Sequence, residues 1–112
     1  MELCTWIKTK LNNWKERRRK KTLRIIKQSL VFDSRYPKDQ DYKLMATAIK
    51  IIAKEVGVPE GNKFDLETDA DWLLLPDDFL VEMIKKICNQ TPEEWIKARR
   101  ERYRRDSDLM QL

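Results

Sequence analysis

Two glycines and four prolines in 112 residues constrain this chain more than any other feature. Sandwiches and barrels need turn residues about every 8–12 positions, and too few are present for either. The same scarcity removes Gly-rich phosphate loops, because neither a GxGxxG fingerprint nor a P-loop is written with Gly57 and Gly61. Hydrophobic residues make up 41% and charged residues 38%, well above the usual quarter for charge. That mixture suits amphipathic helices with solvated outer faces and not a disordered chain. The expected fold is therefore all-α, a small bundle of four to five helices with a long basic N-terminal helix. One domain over 1–112 is expected, with a basic amphipathic helix at 1–32 and a helical core at 33–112 ending in a basic tip.

Catalytic and metal chemistry find little to work with. The chain has no histidine, which removes the commonest general base, the usual triads and the commonest metal ligand. Cys4 and Cys88 stand far apart without CxxC spacing, so neither a zinc site nor a disulfide framework is expected. Partly buried thiols in a reducing compartment are the plainer expectation for both. No enzyme, no metal and no cofactor is the resulting reading. The longest apolar run, residues 72–75, is far short of the ~20 needed to span a bilayer. The start of the chain turns from apolar to basic, the reverse of a signal peptide. A cytoplasmic location is expected, or a nuclear one in a eukaryote.

Charge is unevenly spread behind a net +5. Residues 1–30 hold ten Lys/Arg against two acids, and residues 58–83 hold one against eight. Residues 84–112 are basic again, with eight against five.

Leu3, Ile7, Leu11 and Trp14 recur at helical spacing, with Trp6 beside them, and a second cluster follows at Leu23, Ile26 and Leu30. On one continuous helix these clusters point to nearly opposite sides. The run between them, 15–21, contains only good helix formers, so a single helix greasing two surfaces is expected. One of those surfaces then needs a partner outside the domain. A turn is expected within 31–39, marked by Asp33-Ser34 and Tyr36-Pro37.

A second helix is expected from about 39 to 56, closed by Gly57 and Pro59. A connection over 58–68 leads to a short helix capped by Thr68, and Pro76 ends it. The next helix begins near Asp77 and Asp78, whose charges suit an N-terminus, and runs to about 89. Thr91-Pro92-Glu93-Glu94 reads as a capping box opening the last helix, which continues to about 106. Glu93 with Lys97 and Glu101 with Arg105 are expected i,i+4 pairs there. This helix should dock by its first two turns and project its basic end.

The strongest functional signal is the array Lys15, Arg17, Arg18, Arg19, Lys20 and Lys21, extended by Arg24 and Lys27. Like charges three and four apart repel, so gathering them opposes helix stability. Phosphate backbones attract such an array by releasing counterions, and the arginine fork pairs with phosphate oxygens. The leading expectation is an accessory or regulatory protein that binds nucleic acid through phosphate contacts. The alternative rests on Leu3, Trp6, Ile7, Leu11 and Trp14, which either pack in the core or dock on an anionic membrane or a protein groove.

Two further patterns fail on inspection. Residues 53–58 suggest a helix-turn-helix, but the following segment is acidic and interrupted by glycine, unlike a recognition helix. Asp65, Glu67, Asp69 and Asp71 alternate like an EF-hand loop, but no central glycine follows and residues 72–75 are apolar. That acidic stretch can instead meet the basic helix of its own chain or of a second copy, giving a homo-oligomer.

Overall fold

The computed structural model describes the backbone of residues 2–36 and 40–110, and the side chains of residues 4–36 and 40–105. Five α-helices occur among the described residues: α1 (Glu2–Arg35), α2 (Gln40–Glu55), α3 (Asp69–Leu74), α4 (Asp77–Cys88) and α5 (Pro92–Met110). No strand is found there. The fold is a small all-α bundle.

α1 is one unbroken helix of 34 residues, about 51 Å long at the usual rise. It organises the molecule because α2, α3, α4 and α5 all pack against it. Packing is confined to its C-terminal half, where Leu23, Ile26 and Leu30 are buried. Every side chain from Cys4 to Arg18 is exposed, so the N-terminal half leaves the bundle as a free arm. The radius of gyration, 16.6 Å, exceeds the roughly 13 Å of a compact chain this long for that reason.

The turn expected within 31–39 begins later than Asp33-Ser34. α1 continues through both residues to Arg35. Asp usually disfavours a helix by competing for backbone groups. Here the Asp33 carboxylate is occupied elsewhere, by Arg99 of α5 at 2.6 and 3.3 Å. Residues 37–39, including Pro37, lie outside the described residues.

The remaining elements follow local signals closely. α2 buries Met45, Ala46, Ile49 and Ala53, and Gly57 then turns the chain with φ +94°. A Cβ at Gly57 would meet the Asn62 carbonyl oxygen at 3.1 Å, so both the angle and the space call for glycine. The connection that follows includes a short 3₁₀ turn, Pro59–Gly61, and is not merely solvated, since Val58 and Leu66 are buried in the core. Thr68 caps α3 by accepting from the Asp71 amide, and Asp71 returns the bond to the Thr68 amide. α4 buries Phe79, Leu80, Met83 and Ile84. It closes on Asn89 in the left-handed conformation.

α5 opens on the expected capping box. The Glu94 amide donates to Thr91 Oγ1 at 3.2 Å, and the Thr91 amide donates to Glu94 Oε1 at 3.0 Å. Its docking extends past the first two turns. Trp95 and Ile96 are buried, Arg99 reaches Asp33, and Tyr103 stacks on Tyr42 with ring centroids 6.1 Å apart. The Trp95 indole N–H is satisfied by Met45 Sδ at 3.1 Å. Of the two thiols, Cys88 is partly buried, which pushes its pKa up, whereas Cys4 is exposed on the arm, contrary to expectation.

Candidate nucleic-acid interface

Eight basic residues of α1 were singled out by sequence, and the fold divides them into three kinds. Lys15, Arg17, Arg18, Lys20, Lys21 and Arg24 are exposed, and among the described residues none of the six is in an ion pair. Arg18 lies over the Trp14 ring, 5.2 Å from guanidinium carbon to centroid.

Arg19 is half-exposed and committed within the chain. Its Nε and Nη2 donate to the two Glu93 oxygens at 2.5 and 3.0 Å. The Glu93–Lys97 pair expected from spacing is replaced by this one, because α5 begins against the middle of α1. Partial burial pushes the Glu93 carboxyl up, but the Arg19 bonds and charge outweigh it and hold the group below its ordinary value.

Lys27 departs from the expected array altogether. It is 6% exposed and donates to Asp77 Oδ1 at 2.6 Å and to the Leu73 carbonyl at 3.4 Å. Its position on α1 is on the core side, beside Leu23 and Leu30. The lysine therefore ties α1 to the α3–α4 corner and presents no charge to a ligand.

The fold adds two residues that sequence reasoning placed elsewhere. Arg18 and Lys21 of α1 line a cleft of about 480 Å³ with Lys97 and Arg100 of α5. Ile25 and Ile96 form its apolar wall, and Glu93 and Glu101 also line it. Lys97 and Arg100 are exposed and in no ion pair among the described residues. The basic tip of α5 thus joins the belt on α1. Only the pairwise packing of two helices about 75 positions apart creates this patch, although the charge count of 84–112 hinted at it.

The apolar stripe is the second feature. Trp6 is 59% exposed, Trp14 is 55% exposed, and Ile7 and Leu11 are comparably open. The bundle leaves them open, although Trp14 stands beside its Asp77, Asp78 and Glu93. Leu3 belongs to the same stripe, but its side chain lies outside the described residues. Lys10 sits over the Trp6 ring at 5.5 Å. A second cleft, about 670 Å³, lies where the arm leaves the bundle, lined by Trp14, Lys15, Arg18 and Lys20 and by Asp77, Asp78 and Glu93.

The acidic stretch is largely engaged by the chain itself. Glu67 pairs with Lys50 at 3.4 Å, Asp69 with Arg35, Asp77 with Lys27, and Glu82 with Lys86 at 2.8 Å. Asp71 belongs to the α3 cap. Among the described residues no three His, Cys, Asp or Glu side chains converge as a metal site would require. No protein family, no curated protein and no solved structure matches this chain.

Proposed function

We propose that this protein is a non-enzymatic, accessory or regulatory nucleic-acid-binding protein that holds the phosphate backbone. The belt Lys15, Arg17, Arg18, Lys20, Lys21 and Arg24 would make the contacts, joined by Lys97 and Arg100. One observation carries the reading: the six belt cations of α1 are exposed outside any ion pair among the described residues, and a cleft sets Arg18 and Lys21 beside Lys97 and Arg100 of α5, with Glu93 and Glu101 also in its lining. Unpaired cations that neutralise phosphates release the counterions condensed there. The rigid helix pair holds them without a large ordering loss. Little sequence preference is expected, because phosphate contacts carry no sequence information directly.

The test is a salt titration of binding to duplex and single-stranded nucleic acid. Log affinity should fall linearly with log salt, with a slope of about −0.9 per phosphate neutralised on duplex. Replacing Arg17, Arg18, Lys20, Lys21, Lys97 and Arg100 with Gln should flatten that slope and abolish binding on an unchanged melting curve. Arg19 is left intact because it holds α5. Full binding by the Gln variant would remove this proposal. The exposure of Trp6 and Trp14 favours a second reading, an adaptor that docks through the arm of α1.

A further inference from the structure

The arm of α1 is a helix without a tertiary partner. An isolated helix shorter than ~12–15 residues is marginal in water, and most helical stability comes from covering an apolar face. Ile7, Leu11 and Trp14 lie about 125° around α1 from Leu23, Ile26 and Leu30, at 100° per residue. The core cluster therefore faces one side of the rod and the stripe another, and α4 and α5 border the stripe only at its end, where Trp14 and Arg18 line clefts with Asp77, Asp78 and Glu93. A flat surface can cover Trp6, Ile7 and Leu11, which are exposed beyond that border.

Charge narrows the occupant. Lys8 and Lys15 border one edge of the stripe, and Lys10 lies near the other. The stripe then runs into Arg18 and Lys21 on the same face, where the cleft adds Lys97 and Arg100. Glu16 points to the polar side of the arm, among Thr5, Thr9 and Asn12. Two such arms laid together would set these cations against one another. The acidic surface of a second copy is the weaker acceptor, since Glu67, Asp69, Asp77 and Glu82 are already paired within the chain. Of the acids in residues 58–83, only Glu60, Asp65 and Asp78 stand outside its ion pairs and caps among the described residues.

We propose that the arm docks in the interface of an anionic lipid bilayer. Trp6, Ile7, Leu11 and Trp14 enter the headgroup–acyl boundary, while Lys8, Lys10, Lys15, Arg18 and Lys21 meet lipid phosphates. Tryptophan suits that depth because its ring is apolar and its N–H still reaches water. Lysine stems lie along the apolar zone and their ammonium groups return to the headgroups. This inference rests on the adaptor reading; it shares Lys15, Arg18 and Lys21 with the nucleic-acid reading, whereas the apolar stripe belongs to it alone.

The experiment uses the full chain and two vesicle preparations, phosphatidylcholine alone and phosphatidylcholine mixed with phosphatidylglycerol. Cosedimentation is expected with the mixed vesicles and not with the neutral ones. Trp72 and Trp95 are already buried. A blue shift of tryptophan emission on adding mixed vesicles therefore reports Trp6 and Trp14. The double variant Ile7→Gln, Leu11→Gln changes only exposed positions and no charge, so its melting curve should match the parent. Its binding to mixed vesicles should be weaker by about tenfold or more, as expected when an apolar face is removed. Its affinity for nucleic acid should stay within about twofold, because the phosphate belt is intact.

Absence of binding to mixed vesicles overturns the inference, as does equal binding to neutral ones. Equal binding by the variant also overturns it. A dimer in sedimentation equilibrium that the variant dissolves assigns the stripe to a second copy, which overturns the lipid while keeping the arm as a docking element.

Discussion

Asp33 and Arg99 form the most enclosed ion pair among the described residues, with side chains 1% and 15% exposed. The guanidinium forks onto both carboxylate oxygens and lies 4.4 Å from the Tyr103 centroid and 5.7 Å from that of Tyr42. A fork fixes the angle between α1 and α5 in a way a single point charge does not. Removing the arginine strands a buried carboxylate, which generally costs about 3–5 kcal/mol. Arg99→Ala should therefore lower the unfolding free energy by that amount and the denaturation midpoint with it, and Arg99→Lys should recover part of the loss. An unchanged midpoint in a urea titration would show that water replaces the guanidinium. Exposed pairs such as Lys86 with Glu82 belong to a different class and contribute only about 0–1 kcal/mol each.

The helices owe their ends to short-range chemistry, and α5 shows it best. Thr91→Ala removes the bond to the Glu94 amide and should destabilise the protein by about 0.5–2 kcal/mol. The same cap affects pH dependence. Bonds from the backbone and the hydroxyl of Thr91 hold the Glu94 carboxyl below its ordinary value of 4.5, and Glu93 is also lowered. A carboxyl lowered on folding contributes stability that is fully present above its unfolded value and lost as pH falls through the folded one. The parent should thus lose stability as pH drops below 4.5, and Thr91→Ala should lose less of it over that acid range. Parallel curves for the two proteins would show that Glu94 is not coupled to the cap.

Such signals were legible because they act over three or four residues. Thr68, Gly57 and the Thr91–Glu94 box each announced a helix end that the structure contains. The end of α1 was not legible. Asp33 and Ser34 look like a turn until Arg99 arrives from far along the chain. The burial of Lys27 was hidden for the same reason, since its partner Asp77 is 50 positions away.

At the scale of the whole molecule, helical period alone foretold that α1 carries two apolar surfaces on different sides. What it could not foretell was which surface the other helices would take. The C-terminal cluster won, because Met45, Ile49, Leu80, Ile84 and Trp95 close around it into one core. The candidate site was half legible: the belt on α1 stood in the sequence, and its completion by Lys97 and Arg100 required the fold.

Because residues 15–21 continue the helix without a break, they act as a torsional coupling between arm and bundle and not as a hinge. Each residue added there turns the stripe by about 100° and advances it by about 1.5 Å. One alanine inserted between Glu16 and Arg17 should swing Trp6, Ile7 and Leu11 off the side proposed to meet lipid and weaken binding to anionic vesicles. Seven alanines turn the arm through nearly two full rotations, leaving it within about 20° of its starting angle. The longer insertion should bind better than the shorter one, with melting curves unchanged in both. Vesicle binding that simply declines with inserted length would mean the arm swivels freely. A change in the reach of the arm that keeps the stripe's direction therefore comes only in steps of near-whole turns.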